Sequence, residues 1–199
     1  MSAHHAHLVP EDVLGFSLPR HAAEGLRRED ARDVLSRLKK VESRWDLLGA
    51  HVAFEGKGYV RKRLYRDREW EMLLLCWLPG HTTVIHDHGG SWGATLVLSG
   101  AVHEWGFRWL GAGKRLELLK DRTLPASKTT VETPTTIHRV ANASSEPAVS
   151  LHLYSPPLVA LNSYDEKSGD RHRVDLEVSP SVAVGGAPQK RVAAKRSRR

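Results

Sequence analysis

From His51 onward the chain breaks into short apolar runs separated by Gly, Pro and Asp. They span 59–64, 70–77, 82–88, 93–98, 102–109, 116–119, 149–154 and 173–178. Strands at this spacing, with no strand–helix–strand rhythm and no internal repeat, predict an all-β sandwich or barrel. Upstream, 28–45 reads as one helix. Its apolar positions Ala31, Val34, Leu35, Leu38 and Val41 follow the three–four spacing that puts one sticky stripe on a helix, and charged residues fill the other face. The expected architecture is all-β with N-terminal helices. Residues 1–8 form a loose terminus, 9–180 one folded domain, and 181–199 a basic tail. His4, His5 and His7 belong to that terminus and are not read as a ligand cluster.

A chain of 199 residues is one domain by size, with enough length for a real core. No apolar run approaches a membrane span. The start, Met1-Ser-Ala-His-His5, lacks the charged-then-apolar pattern of a signal peptide. With a single cysteine, Cys76, no intramolecular disulfide is possible, and Cys76 sits in a strongly apolar run that marks it as core. A soluble cytoplasmic protein, monomeric and free of the membrane, is expected. The net charge of +7 is uneven: Lys190, Arg191, Lys195, Arg196, Arg198 and Arg199 leave only about +1 for everything else. A near-neutral body with a solubilising, disordered tail follows. No nucleic acid is required, although weak association of the tail with a polyanion stays open.

His86 and His88 alternate within Thr83-Val-Ile-His-Asp-His88, and His138 stands in a second run, Thr136-Ile-His-Arg-Val140. Residues two apart on a strand share a face, so His86 and His88 reach into one cavity. A third imidazole from a distant strand completes a facial set of three nitrogens with open coordination positions, as a catalytic metal needs. Zinc and nickel suit three imidazoles as iron does. On 149–154, Ser150, His152 and Tyr154 point one way and Val149, Leu151 and Leu153 the other. Buried without partners, each polar residue costs on the order of 1–3 kcal/mol. Either this row lines a polar pocket, where a Ser–His–Tyr relay orients the tyrosine hydroxyl toward the metal, or it faces solvent. It is not a Ser-His-Asp triad, because no carboxylate is seen behind the histidine.

The frame Gly80, five residues, His86, one residue, His88, four residues, Gly93, six residues, Gly100 resembles the first motif of the cupins, small jelly-roll β-barrels with a metal inside. His138, followed after three residues by Asn142, resembles the second. A glutamate usual in the first motif is replaced by Gly93. Three neutral imidazoles then leave the full charge of a dication, ready to accept an anionic soft ligand such as a thiolate. Further stretches resemble cysteine dioxygenase, a thiol dioxygenase of the cupin superfamily. They are Tyr59-Val-Arg61, Leu75-Cys-Trp-Leu-Pro-Gly-His81, Ile85-His-Asp-His88, His138-Arg-Val-Ala-Asn142 and Glu146-Pro-Ala-Val-Ser-Leu-His-Leu-Tyr-Ser-Pro-Pro157. The resemblance spans about residues 30–180.

The resemblance implies a cupin barrel, with His86, His88 and His138 as ligands to Fe(2+). It implies Arg61 as the group that binds the substrate carboxylate, Tyr59 in the same pocket, and Ser150, His152 and Tyr154 as the relay. A guanidinium is a planar fork suited to a carboxylate. The implied reaction adds both atoms of dioxygen to the sulfur of L-cysteine, giving cysteine sulfinic acid. Animal members carry, at the position of Gly93, a cysteine cross-linked to the active-site tyrosine. Glycine here resembles bacterial members, and Tyr154 cannot carry that thioether. After the Pro-Pro pair, Leu158-Val-Ala-Leu161 replaces Phe-Asp-Thr-Cys of animal members at the pocket's edge. Two alternatives stay open: dioxygenation of another small thiol such as 3-mercaptopropionate, and a non-catalytic metal-binding cupin. The place of Arg61 favours cysteine, since the mercaptopropionate enzymes carry their carboxylate arginine elsewhere. The polar row and Arg61 speak against a storage module, which needs neither.

Overall fold

The computed structural model describes residues 8–20, 28–39, 44–176 and 181–184. Helices come first: α1 (Pro10–Leu14), α2 (Arg28–Leu38) and α3 (Trp45–Leu48), the last running into a 3-10 turn at Gly49–His51. Twelve strands follow among the described residues: β1 (Tyr59–Arg66), β2 (Glu71–Trp77), β3 (Ile85–His86), β4 (Trp92–Ser99), β5 (Ala101–Arg108), β6 (Glu117–Pro125), β7 (Thr129–Glu132), β8 (Ile137–Ala141), β9 (Ala148–Ser155), β10 (Ala160–Tyr164), β11 (Arg171–Asp175) and β12 (Ser181–Val184). They pair antiparallel in two six-stranded sheets, ordered β12-β1-β2-β9-β4-β7 and β11-β10-β3-β8-β5-β6. This is the all-β barrel with N-terminal helices expected from the strand series, in the cupin form that the resemblance implied.

Side-chain alternation gives the first sheet a separate apolar cluster on each face, and a third, smaller cluster joins Ile85, Phe107, Leu116 and Tyr164. On one face of the first sheet, Met72, Leu74 and Cys76 of β2, Ala94, Leu96 and Leu98 of β4 and Val149, Leu151 and Leu153 of β9 pack with the buried stripe Ala31, Val34 and Leu38 of α2 and with Val13 and Leu14 of α1. On the other face Leu73, Leu75 and Trp77 of β2, Val97 of β4 and Tyr154 of β9 turn into the barrel. Strands β2 and β9 are therefore buried along their whole length. An antiparallel sheet usually leaves one face to water; here the helices cover it.

Several expectations change in detail. The helix expected over 28–45 is α2, ending at Leu38, and the separate turn α3, with 40–43 outside the described residues. Val41 lies there, and Leu35 is only half-buried beside Ala31, Val34 and Leu38. The strand expected over 82–88 is only β3, so His88 stands in the following turn. The run at 116–119 overlaps the longer β6, which starts at Glu117, and that at 173–178 overlaps β11, which begins two residues earlier and ends at Asp175, with 177 and 178 outside the described residues. Strand β12 continues the first sheet into 181–184, pairing Tyr59 with Val184 and Lys62 with Ser181, where a disordered tail was expected. Backbone pairing with the edge of β1 supplies the order that side-chain periodicity did not announce. Residues 1–7 and 185–199 lie outside the described residues. No helix among the described residues is long and apolar enough to cross a membrane.

Candidate metal centre and substrate pocket

His86 on β3 and His138 on β8 face each other in register across the β3–β8 ladder. His88 follows two residues later, and its loop turns back through a bond from the Ser91 amide to the His88 carbonyl at 3.0 Å. Asp87, between the two histidines, accepts from the Gly89 amide (3.0 Å), the Asn162 amide (2.9 Å), Asn162 Nδ2 (2.8 Å) and Tyr164 Oη (2.8 Å). The three bonds from Asn162 and Tyr164 pin the loop to β10, and the one from Gly89 closes the loop on itself. Gly89 has φ +59°, and a Cβ there would collide with the Ala160 carbonyl, so only glycine lets the loop lie this close.

The three imidazoles offer ligand nitrogens within 4.8 Å of one another. Their ring centroids are 4.8 Å apart for His86–His138 and His88–His138, and 5.3 Å for His86–His88. His86 Nδ1 lies 3.0 Å from the Val84 carbonyl, an acceptor only, so the proton sits on Nδ1 and the Nε2 lone pair faces the cluster. His138 Nδ1 is 3.2 Å from Glu104 Oε1, and its Nε2 stands 3.2 Å from His88 Nε2. Burial, then the neighbouring charge of His138, pushes His86 down to about 3, and the same causes hold His88 well below the usual imidazole range. Three imidazoles clustered in this way, with His86 and His88 held neutral by burial, fit a divalent cation. Glu104 on β5 is 1% exposed and accepts from Lys120 Nζ at 3.2 Å and Arg122 Nε at 2.8 Å. Its burial raises the carboxyl, but His138, Lys120 and Arg122 outweigh that and lower it to about 2. An ionised carboxylate therefore orients the His138 ring.

Beside this cluster runs the polar row of β9. The Tyr154 ring lies 5.3 Å from that of His88. Its hydroxyl is 3.3 Å from His152 Nδ1, and Ser150 Oγ is 2.7 Å from His152 Nε2. Trp77 Nε1 donates to Ser150 Oγ at 2.9 Å. All three residues are buried, so the row faces the barrel and not solvent, while its leucines face the helices. Burial drives His152 down to about 3 and holds the Tyr154 hydroxyl well above the phenol range, with Glu132 adding to the latter. Tyr59 on β1 stacks on Trp77 at 4.5 Å, and burial lifts its hydroxyl to about 12. Arg61, two residues on, has its charge within reach of both His152 and Tyr154. Its Nη2 donates to Glu71 Oε2 at 3.1 Å, and Arg66 Nη1 reaches Glu71 Oε1 at 3.2 Å.

The eight residues singled out in the sequence are thus linked: the three imidazoles cluster, Tyr154 meets them at His88, Ser150 and His152 stand behind Tyr154, Tyr59 stacks on Trp77 beside Ser150, and the charge of Arg61 acts on His152 and Tyr154. Five partners escaped sequence reading. Glu71 and Glu104 sit at inward positions of apolar runs, a placement that alternation could have flagged. Asp87 was passed over as the spacer between two histidines. Thr95 and Glu132 form a bond of 3.3 Å, and Thr95 Oγ1 is 2.9 Å from His152 Nδ1. A carboxyl does stand behind the histidine, one hydroxyl removed, contrary to the expectation that none did. It lies on β7, whose four residues gave no periodic signal. Burial raises Glu132 to about 7.

The model of the family described as Cysteine dioxygenase type I matches residues 27–167. Among curated proteins, cysteine dioxygenase type 1 of Rattus norvegicus is 31% identical over 160 residues, covering 78% of each chain. The Homo sapiens protein of the same name is 29% identical over 160 residues, again with 78% of each chain covered. Among solved structures, an uncharacterized conserved protein with a double-stranded β-helix domain from Klebsiella pneumoniae superposes with a TM-score of 0.49 at 15% identity, covering 59% of this chain and 94% of its own. A cupin superfamily protein from Desulfitobacterium hafniense does so with a TM-score of 0.45 at 12% identity, covering 55% and 88%. By the family match across most of the described barrel, this chain belongs to the cysteine dioxygenase type I family.

Proposed function

We propose that the protein catalyses iron-dependent dioxygenation of L-cysteine to cysteine sulfinic acid, with Fe(2+) held by His86, His88 and His138 and with cysteine and dioxygen as its substrates in the cytoplasm. The observation that carries this reading is the cluster of three imidazoles beside the buried Ser150–His152–Tyr154 row, with the charge of the Arg61 guanidinium acting on His152 and Tyr154. Ferrous iron, when bound, supplies the open positions at which thiol and dioxygen meet. The remaining work falls to the chain. Two guanidiniums, Arg61 and Arg66, share the single carboxylate of Glu71. One positive charge is left over, matching the one carboxylate of cysteine, and Arg61 is the nearer to the relay. Tyr59, stacked on Trp77, forms the wall below the substrate. Tyr154 stays a phenol and His152 a neutral imidazole at physiological pH, so the row can donate a hydrogen bond without adding charge. The apolar residues around the row exclude water.

The test is oxygen uptake by the iron-loaded protein, with metal analysis alongside, using cysteine, 3-mercaptopropionate and cysteamine in turn. Uptake is expected with cysteine at one molecule of dioxygen per sulfinate formed. Uptake confined to 3-mercaptopropionate overturns the cysteine assignment, and no uptake with any thiol overturns the enzyme. Arg61→Ala is expected to weaken use of cysteine far more than of cysteamine, which has no carboxylate; equal losses count against the role given to Arg61.

A further inference from the structure

The hydrogen bonds around His152 have a direction that can be read from their donors. Trp77 Nε1 can only donate, so Ser150 Oγ accepts from it at 2.9 Å. The acceptor within reach of the Ser150 proton is His152 Nε2, at 2.7 Å. With Nε2 occupied as an acceptor, the His152 proton sits on Nδ1. Two oxygens compete for it: Thr95 Oγ1 at 2.9 Å and Tyr154 Oη at 3.3 Å. Thr95 is the nearer, and its own proton has an acceptor in Glu132 Oε1 at 3.3 Å. The donors thus run one way, from Trp77 through Ser150, His152 and Thr95 to a buried carboxyl.

Glu132 is held where that chain must end. It is 1% exposed, and its Oε2 has no hydrogen-bond partner among the described residues. It lies opposite Gly93 in the β4–β7 register. A Cβ on Gly93 would stand 2.7 Å from Glu132 Oε2 and 3.0 Å from Tyr154 Cε1. The carboxyl therefore uses space that any side chain at position 93 would need, and it flanks the Tyr154 ring. We propose that Thr95, backed by Glu132, is a positioning residue that accepts the hydrogen bond from His152 Nδ1, so that the Tyr154 hydroxyl is not drawn back to His152 and keeps its place on the side of the metal-binding histidines. Without that acceptor the Nδ1–H turns to Tyr154 Oη, 3.3 Å away, and draws the phenol oxygen toward His152 and away from the metal-binding histidines. The consequence for turnover rests on the dioxygenase reading above; the hydrogen-bond direction does not.

The test joins a spectrum to a rate. In zinc-loaded, histidine-labelled protein, nitrogen NMR is expected to find His152 protonated on Nδ1, with the signal assigned by its loss in His152→Gln. The isosteric Thr95→Val is expected to move the Nδ1 proton resonance upfield as its bond passes to the more distant tyrosine. In the iron-loaded enzyme, Thr95→Val is expected to lower kcat for cysteine about tenfold with KM and iron content unchanged. Thr95→Ser and Glu132→Gln keep a hydroxyl and an acceptor and are expected to restore kcat, whereas Glu132→Leu falls with Thr95→Val. A wild-type His152 protonated on Nε2, or a Thr95→Val enzyme with unchanged turnover, overturns the proposal. Failure of the wild type to take up oxygen with any thiol strikes the dioxygenase reading instead and leaves the spectral arm standing.

Discussion

Neutral imidazole is the form that binds a metal, and burial holds His86 and His88 in that form before any metal arrives. Orientation comes from the other ring nitrogen: the Val84 carbonyl fixes His86, and Glu104 fixes His138. Glu104→Gln leaves Lys120 and Arg122 without their shared carboxylate and weakens the grip on the His138 Nδ1 proton. It is expected to reduce Fe(2+) affinity by about 10–100-fold, measured by competition with a chelator. Unchanged affinity would show that the carboxylate does not steer the ring. The histidines were legible in the sequence because residue type and two-residue spacing both carry their chemistry. Glu71 and Glu104 were not read, since a single charged residue in an apolar run resembles a rim position until its partners are known. Arg61 and Arg66 partner the first, Lys120 and Arg122 the second, each from elsewhere in the chain.

Strand β9 shows what the period of two can and cannot say about an element. Its alternation of leucine with polar residues announced two distinct faces, and a one-sided sheet would put one of them in water. The helices make both faces interior: Leu151 and Leu153, each 0% exposed, pack toward α2, while Ser150, His152 and Tyr154 face the barrel. Leu151→Ala is expected to cost about 2–5 kcal/mol, read from denaturant unfolding, because a cavity opens in a layer with no water to fill it. A cost under about 1 kcal/mol would mean that the helix layer yields to fill the space. Elements such as β11, exposed along its length, and the mostly exposed β6 were misplaced by a few residues because their sequences lack an apolar face. The short β7 and β10 escaped for another reason, having too few residues to express a period. Strand β3 was overestimated, because His88 keeps the direction of a strand residue while its backbone has already entered a turn.

For the molecule as a whole, the barrel was legible from the strand series, while the pairing of strands far apart in sequence was not. Chain order does not reveal that β9 lies between β2 and β4, or that β3 lies between β8 and β10. The candidate ligands join β3, its following loop and β8, so a bound metal ties together segments some fifty residues apart. Removing it is expected to lower the melting temperature by roughly 5–10 °C, measured by calorimetry before and after dialysis against chelator. An unshifted transition would place any bound metal elsewhere. Finally, Leu153 and Tyr154 are consecutive residues, yet one belongs to the helix-side core and the other touches the row beside His88. The partition between the part of the protein that keeps it folded and the part that does chemistry is one strand thick. Slack introduced under α2 is transmitted to the phenol ring across a single peptide unit. Misplacement on the order of 1 Å can cost a reaction about a hundredfold. Substitutions in the outer layer can therefore surface as catalytic defects in a protein that still folds, and a screen for activity will find its sensitive positions on both sides of the wall.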